Sequence, residues 1–337
     1  MSLLENLAAL LVLIGITMYA AFAGADFGGG LWTALASGPR AQDQREGIFH
    51  AIGPVWETNH IWIIFVVVVL FACFPRGFEY LFIALLTPLV FALVGINLRG
   101  AAFVFRHFGK YKSSELPAME TVFSISSIMT PFFLGMAVSA LGAGHIRIAH
   151  GQVQGELCFA WVTPFTIIGG LIGLAICSYI TPFYMIVRTN GELREDFRKR
   201  ALAAAVVLGV LTSIEIPLSF FNAPLFFERM IHPFPLLVAS LAVICGSTTL
   251  ILLWKRAYRP AQLLADITVT LTITGFAAAL YPDMIIGQIT YSESAAPQST
   301  ILAIMITLPI GALLLIPSLY FLYKTFGGNP NPDLKSE

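Results

Sequence analysis

The feature that most constrains this chain is a series of long apolar runs with almost no charge inside them. The stretch from Ile61 to Cys73 (IWIIFVVVVLFAC), for example, contains only apolar side chains. A transmembrane helix needs about 20 predominantly apolar residues, whereas a transmembrane β-barrel shows alternating segments of about 10 residues. The runs therefore exclude a barrel and predict nine helical spans, at roughly 5–37, 48–73, 78–107, 117–142, 160–186, 198–220, 234–256, 262–281 and 298–326.

Composition excludes the other common classes. Only 11% of the residues are charged and 57% are apolar or aromatic, whereas a soluble domain carries about 25% charged residues. The 19 basic residues balance 19 acidic ones and form no basic stripe, which argues against a nucleic-acid partner. We therefore expect an all-α, polytopic protein with about nine transmembrane helices, in which residues 1–337 form a single integral membrane domain.

The basic residues predict the orientation in the membrane, because cytoplasmic connections are enriched in Lys and Arg. The connections after spans one, three, five and seven, together with the C-terminal segment, hold Arg40, Arg45, Arg106, Lys110, Lys112, Arg188, Arg194, Arg198, Lys199, Arg200, Lys255, Arg256, Arg259, Lys324 and Lys335. The other side holds Arg76, Arg147 and Arg229. This asymmetry predicts an external N-terminus and a cytoplasmic C-terminus.

The predicted spans fall into two groups of four. Residues 1–142 would form a first four-helix half and residues 160–281 a second one, and the polar segment Arg188–Arg200 joins the fifth predicted span to the sixth. Residues 298–326 would then add a ninth helix.

Ionisable side chains inside the spans need an explanation, because each costs at least about 2.5–3.5 kcal/mol on insertion scales. They are Asp26, Glu57, His60, Arg99, Glu215 and Asp266. The first four fall at a similar depth in spans one to three, in the half of the membrane that we expect to be cytoplasmic. Two interpretations are compatible: Arg99 pairs with a carboxylate and holds three helices together, or the carboxylates carry protons from one aqueous side.

The densest polar patch is Gly53–Trp62 (GPVWETNHIW) in span two. At helical spacing, Trp56, Asn59 and His60 share one face, which is too polar for lipid and predicts burial in a helix bundle. Trp62 points away from His60. A second motif, Gly24–Gly30 (GADFGGG), permits close helix packing or a break in the helix.

Haem ligation by this chain itself is not expected. A bis-histidine haem site needs two imidazoles at matched depth on facing helices, and His60 is the one histidine well inside a predicted span. The four cysteines show no metal or redox spacing. A different class of function, a secondary transporter with a carboxylate site in the cytoplasmic half of the membrane, also fits helices interrupted by glycine and proline.

Taken together, the motifs resemble those of subunit II of the cytochrome bd-type quinol oxidases, close to the cyanide-insensitive branch. The resemblance covers essentially the whole chain. The matching stretches are Gly24–Leu31, Ala51–Ile63, Asn97–Arg106, Thr189–Arg194 and Tyr281–Thr300.

This resemblance implies a non-haem subunit of a bacterial cell-membrane complex, a quinol:oxygen oxidoreductase that reduces dioxygen to water. The partner would be a haem-bearing subunit I with two haems b and one haem d. Quinol and lipid would be further partners. The resemblance is also compatible with a small accessory subunit and with a bound structural quinone or lipid. This chain would support subunit I and contribute a cytoplasmic proton path and dioxygen access.

By the same resemblance, the candidate residues of the proton path are Asp26, Trp56, Glu57, Asn59, His60 and Arg99, and Trp62 would lie near the dioxygen entry. Two positions depart from the family pattern. Glu57 stands where many members have Asp, and Val104 stands where some members have an acid. If that acid carries protons in those members, this chain would depend on Asp26 and Glu57 or on subunit I.

Overall fold

The structure, a computed structural model, describes residues 2–52, 56–109, 117–154 and 161–326, without the side chains of Ile52, Trp56, His107, Phe108, Tyr323 and Phe326. Its helices are α1 (Leu3–Ala34), α2 (Ala41–Ile52), α3 (Trp56–Asn59), α4 (Ile61–Cys73), α5 (Pro75–Ala84), α6 (Leu86–Gly109), α7 (Pro117–Ala143), α8 (Pro164–Arg188), α9 (Gly191–Asn222), α10 (Pro224–Met230), α11 (Pro233–Trp254), α12 (Tyr258–Leu280), α13 (Tyr291–Ser294) and α14 (Gln298–Phe326). Two short antiparallel pairs join β1 (Arg147–Ala149) to β2 (Gln152–Gln154) and β3 (Asp283–Ile285) to β4 (Ile289–Thr290).

The helical, polytopic architecture that we expected is confirmed. Within the described ranges, eight helices are long and apolar enough to cross a membrane, and the shorter apolar helix Glu57–Cys73 accounts for the remaining predicted span. Most predicted boundaries agree with the structure within a few residues. The seventh predicted span, 234–256, corresponds to Pro233–Trp254, for instance.

Two predicted spans are interrupted, which the apolar pattern did not indicate. Span 48–73 is interrupted by a turn at His60, between α3 and α4. Span 78–107 is divided at Leu85, where α5 ends and α6 begins. Pro88 has no amide hydrogen to donate to the carbonyl of Ala84, so the helical hydrogen-bond ladder is broken at this point.

Helix α1 occupies the centre of the fold and packs against α4, α7 and α8. The Gly24–Gly30 motif lies within this uninterrupted helix, so its glycines permit close packing rather than a break. A Cβ atom on Gly28 would overlap the carbonyl oxygen of Cys177 and the hydroxyl of Thr181 on α8. Two cross-helix hydrogen bonds hold the same contact: Thr181 Oγ1 donates to the Ala25 carbonyl at 2.7 Å, and Trp32 Nε1 donates to the Ser178 carbonyl at 2.8 Å.

Helix α14 has a different environment. It packs on α1 and α4 through one face, where Ile301 is fully buried. Its other side chains, including Leu313 and Leu314, are exposed in the isolated chain. A helix with this much apolar surface is stable only in lipid or against another protein. The division into two four-helix halves plus a ninth helix remains a prediction.

The two ends of the helices carry different polar contacts. At the end rich in Arg and Lys, Arg40 pairs with Asp196 at 2.8 Å, and Arg200 contacts the Gln44 side chain. At the opposite end, Arg229 pairs with Asp283 at 2.7 Å. There, the Thr290 amide and hydroxyl both donate to Glu293 at 2.8 Å, which lowers the pKa of that carboxyl group.

Candidate functional site

A carboxylate on α1 and an amide on α3 form a buried hydrogen-bonded pair. Asp26 lies on α1 and is 3% exposed, and Asn59 lies at the end of α3 and is 3% exposed. Asn59 Nδ2 donates to Asp26 Oδ2 at 2.8 Å and approaches the Phe22 carbonyl at 3.4 Å. Because α3 ends at Asn59, the amide reaches across to α1 instead of staying within its own helix.

Arg99, on α6, lies beside this pair and is completely buried. Its guanidinium carbon lies 5.1 Å from the ring centroid of Phe27 and 5.3 Å from that of Phe123. It is close enough to Asp26 for an electrostatic attraction. However, none of its three nitrogens has a hydrogen-bond partner among the described residues, and none lies within 4.0 Å of a carboxylate oxygen there. The direct Arg99–carboxylate ion pair that we considered from the sequence is therefore not formed in the described part of the chain.

His60 lies at the turn between α3 and α4, next to the buried pair. Its Nδ1 is 3.4 Å from the Tyr19 hydroxyl on α1, and its ring packs edge-on against Phe27 at 5.8 Å. Its Nε2 is buried without a hydrogen-bond partner among the described residues. The structure thus brings Asp26, Asn59, His60 and Arg99 into one cluster. Tyr19, which was not a candidate from the sequence, also belongs to it.

The remaining candidates lie around this group. Glu57 is exposed on the surface of the isolated chain. Trp62 is half-buried and stacks on Phe22, with ring centroids 6.3 Å apart and planes 12° apart. The Trp56 backbone begins α3, but its side chain lies outside the described part of the structure, so the predicted Trp56–Asn59–His60 face can be followed only for the last two residues.

The two other intramembrane acids lie away from this cluster. Glu215 on α9 and Asp266 on α12 are both half-buried and belong to the second half of the chain. No hydrogen bond or ion pair of either carboxylate is found within the described ranges. These residues therefore offer natural controls for the carboxylate on α1.

The described residues do not favour a metal or haem site in this chain. They contain no group of three or more His, Cys, Asp or Glu side chains that could hold a metal ion. The buried imidazole of His60 faces Tyr19 and Phe27, and no second imidazole is found beside it in the described part. A haem held between two histidines does not fit this arrangement.

Several residues that line the cluster escaped the sequence analysis. Tyr19 precedes Asp26 by seven residues, which places both on one face of α1, and this spacing could have identified it. Phe27 and Phe123 look like ordinary apolar filler in a membrane span. Ser127 on α7 has a fully buried hydroxyl without a partner among the described residues, and nothing in its sequence context distinguishes it from its neighbours.

Comparisons with known proteins agree on one family. The sequence profile described as "Cytochrome bd terminal oxidase subunit II" matches residues 4–326. A "Cytochrome bd ubiquinol oxidase subunit 2" from Bacillus subtilis (strain 168) is 25% identical over 320 residues, which cover 94% of this chain and 93% of the relative. The "Cytochrome bd-I ubiquinol oxidase subunit 2" of Escherichia coli (strain K12) is 25% identical over 206 residues, which cover 58% and 52%.

The fold also has a known counterpart. A chain from the structure of the bd oxidase of Geobacillus thermodenitrificans superposes with a TM-score of 0.82 and 19% sequence identity. The match covers 96% of this chain and 99% of the other. At this identity, the likeness concerns the fold alone.

Proposed function

The chain belongs to the cytochrome bd terminal oxidase subunit II family, and from this premise we propose that it is the non-haem second subunit of a bd-type quinol oxidase. Its relatives are subunits of such oxidases, so the chain is part of an oxidoreductase complex. The haem-bearing subunit I is the proposed partner. When bound there, two haems b and one haem d supply the electron path from quinol to dioxygen.

The role proposed for this chain is to deliver protons to the partner. The observation that carries it is the buried Asp26–Asn59 pair beside the fully buried Arg99, which has no hydrogen-bond partner in the described part of the chain. Placing a carboxylate inside a membrane-spanning bundle costs several kcal/mol. Ionisable residues in such positions are therefore usually functional. Reduction of dioxygen to water consumes protons, and a carboxyl group that gains and loses one can supply them.

Each of the other candidates has a place in this proposal. Asn59 holds the carboxylate of Asp26, while His60 and Tyr19 border it. Glu57, exposed on this chain, faces outwards where a partner subunit could receive a proton. Trp62, half-buried beside Phe22, is proposed to border the dioxygen entry from the membrane. The side on which Arg40 and Arg106 lie is proposed to be cytoplasmic, in a bacterial cell membrane.

The test is the turnover of the complete complex with Asp26→Asn. This substitution keeps the shape of the side chain and one oxygen for Asn59, but it removes the exchangeable proton. We expect quinol-driven oxygen consumption to fall about tenfold or more, because a lost proton-transfer group has effects of that order or greater. The b- and d-type haem bands should keep their wild-type amplitude.

Asp266→Asn is the matched control, because it makes the same change in a half-buried acid of the second half. We expect it to retain turnover within about twofold. Wild-type turnover in Asp26→Asn across a range of pH would contradict the proposed proton role. Equal losses in both variants would assign the effect to a general requirement for membrane acids.

A further inference from the structure

A small cavity opens between α2, α6 and α7 at the end of the helices where the basic residues lie. It encloses about 220 Å³ of empty space, part of it open to the outside. Its lining residues are Phe49, Ala102, Phe103, Arg106, Met119, Glu120 and Phe123. Its enclosed part is of the size that holds about one water molecule.

The acid of this cavity, Glu120, is tied to the polar end of the fold. It lies in the first turn of α7, and its carboxylate Oε1 is 3.3 Å from Arg45 Nε on α2. Its side chain is 16% exposed, so it remains in reach of bulk water. Arg106 on the opposite wall is paired with Glu46 at 2.9 Å. Glu120 is thus the carboxylate that lines the cavity.

Two helices, α6 and α7, connect the cavity with the Asp26 cluster. Arg99, Ala102, Phe103 and Arg106 follow one another at helical spacing on α6, so the stripe that lines the cavity continues to the buried guanidinium. On α7, Phe123 lines the cavity and also lies 5.3 Å from Arg99. The Phe123 ring therefore contacts both the cavity and the surroundings of the buried arginine.

Beyond this ring lie polar atoms that need a partner. All three Arg99 nitrogens and the Ser127 hydroxyl are buried without a hydrogen-bond partner among the described residues. Buried polar groups of folded proteins are almost always hydrogen-bonded, and where no protein atom serves, an internal water does. Ser127 also contacts the Gly30 position, one helical turn from Asp26 on α1.

We propose that Glu120 is the entry carboxylate of a proton path that runs through this cavity and past Phe123 to Asp26, over water bound by Arg99 and Ser127. Glu120 takes a proton from bulk water on the basic side, passes it to the internal water, and Asp26 receives it. Arg99 anchors the water but does not exchange the proton, because a guanidinium is not deprotonated in proteins. This inference rests on the proposed proton role of Asp26 and adds a positioning and entry residue to it.

The first test compares three variants of the complete complex by quinol-driven oxygen consumption. Glu120→Gln should lower turnover about threefold or more, and Glu120→Asp should restore most of it, because the shorter acid still carries the proton. Glu192→Gln is the control: this residue is also acidic and paired with an arginine, but its side chain is 79% exposed and lies outside the cavity. It should be indistinguishable from wild type.

The second test fills the cavity without changing any charge. Ala102 is 3% exposed and lines the cavity, whereas Ala101 beside it on α6 is exposed. Ala102→Leu should slow turnover, with the haem bands retained, and Ala101→Leu should not. This pair also decides the matter if Glu120→Gln fails to assemble.

Three outcomes would overturn the inference. Wild-type turnover in Glu120→Gln, while Asp26→Asn is slow, would place the entry elsewhere and leave the proposed function intact. Equal loss in Glu120→Gln and Glu120→Asp would show that a retained acid does not restore turnover, and it would assign the loss to the local structure around Glu120. Wild-type turnover in Ala102→Leu would exclude the cavity as the route. If Asp26→Asn were also wild-type, the proposed function itself would be wrong.

Discussion

Polar side chains are present in both halves of this chain, but their partners differ. In the second half, Thr249 Oγ1 donates to the Cys245 carbonyl at 2.8 Å and Thr268 Oγ1 to the Leu264 carbonyl at 2.7 Å, each one turn back in its own helix. In the first half, Asn59 reaches across helices to Asp26, and the fully buried Arg99 finds no partner among the described residues. A hydroxyl that bonds to its own helix needs no neighbour, whereas a cross-helix or unpaired group depends on the whole bundle.

The glycines show a related difference. Gly28 of α1 lies against the backbone of α8, and the carbonyl carbon of Cys177 would be 2.6 Å from an added Cβ atom. Gly209 of α9 has nothing within 4 Å of that position. Close helix approach is therefore built into the part of the molecule that holds the polar cluster, and absent from the outer surface of the second half.

The substitution with the largest expected effect on stability is Gly28→Ala. The added methyl group collides with the α8 backbone, which cannot move aside as a flexible side chain would, and overpacking of this kind costs about 1–3 kcal/mol or more. We expect a marked loss of assembled complex and of its thermal stability, measured by the haem bands that survive heating in mild detergent.

Gly209→Ala is its matched control. Alanine is favoured over glycine in a helix by roughly 0.8–1 kcal/mol, so this variant should be as stable as wild type or more so. Equal destabilisation by the two substitutions would mean that the α1–α8 contact has no special role, and that Gly28 and Gly209 do not differ in importance for packing.

A smaller effect is expected from Asn59→Leu. Leucine has a similar volume but cannot donate to Asp26, and a buried charged group that loses its donor costs about 1–3 kcal/mol. Because the carboxylate is then held less well, we expect oxygen consumption by the complex to fall several-fold while the haem bands persist.

The control for this change is Thr249→Val, which removes a buried hydroxyl on α11 and nearly preserves the volume of the side chain. Its bond is made within its own helix, so turnover should stay at the wild-type level and stability should change by about 1 kcal/mol or less. A loss of turnover in Thr249→Val as large as that in Asn59→Leu would contradict a specific functional role of the Asp26–Asn59 pair.

The sequence was sufficient for the features that depend on hydrophobicity alone. Helix α14 (Gln298–Phe326) begins at the predicted residue and is helical up to the last described residue, because an apolar helix with few neighbours is determined by the membrane thickness and its own composition. The breaks at His60 and Leu85 were not predicted, because a continuous apolar pattern does not show where a helical hydrogen-bond ladder stops.

The candidate site was predictable in part. The intramembrane cost of Asp26, Asn59 and Arg99 makes them visible in any sequence, and the structure places them together. Their partners were not visible. In the described part of the chain, Arg99 packs against two phenylalanine rings and not against a carboxylate. This arrangement depends on which faces of α1, α6 and α7 meet. Because these helices are almost continuously apolar, their sequences do not determine those faces.

Glu120 shows the same limit from the other direction. An acid in the first turn of a helix is common and is explained by the helix dipole, so it attracts no attention in the sequence. Only the three-dimensional placement of Glu120, in a cavity that it lines together with Arg106 and Phe123, distinguishes it from an ordinary helix-end residue.

The most direct test of the central claim, that Asp26 carries protons for dioxygen reduction, is the rate of proton uptake when the fully reduced complex reacts with oxygen. A pH dye in weakly buffered solution would follow it in wild type, Asp26→Asn and Asp266→Asn. We predict slowed uptake in Asp26→Asn, with haem oxidation starting normally, and wild-type uptake in Asp266→Asn. Unchanged proton uptake in Asp26→Asn would contradict it.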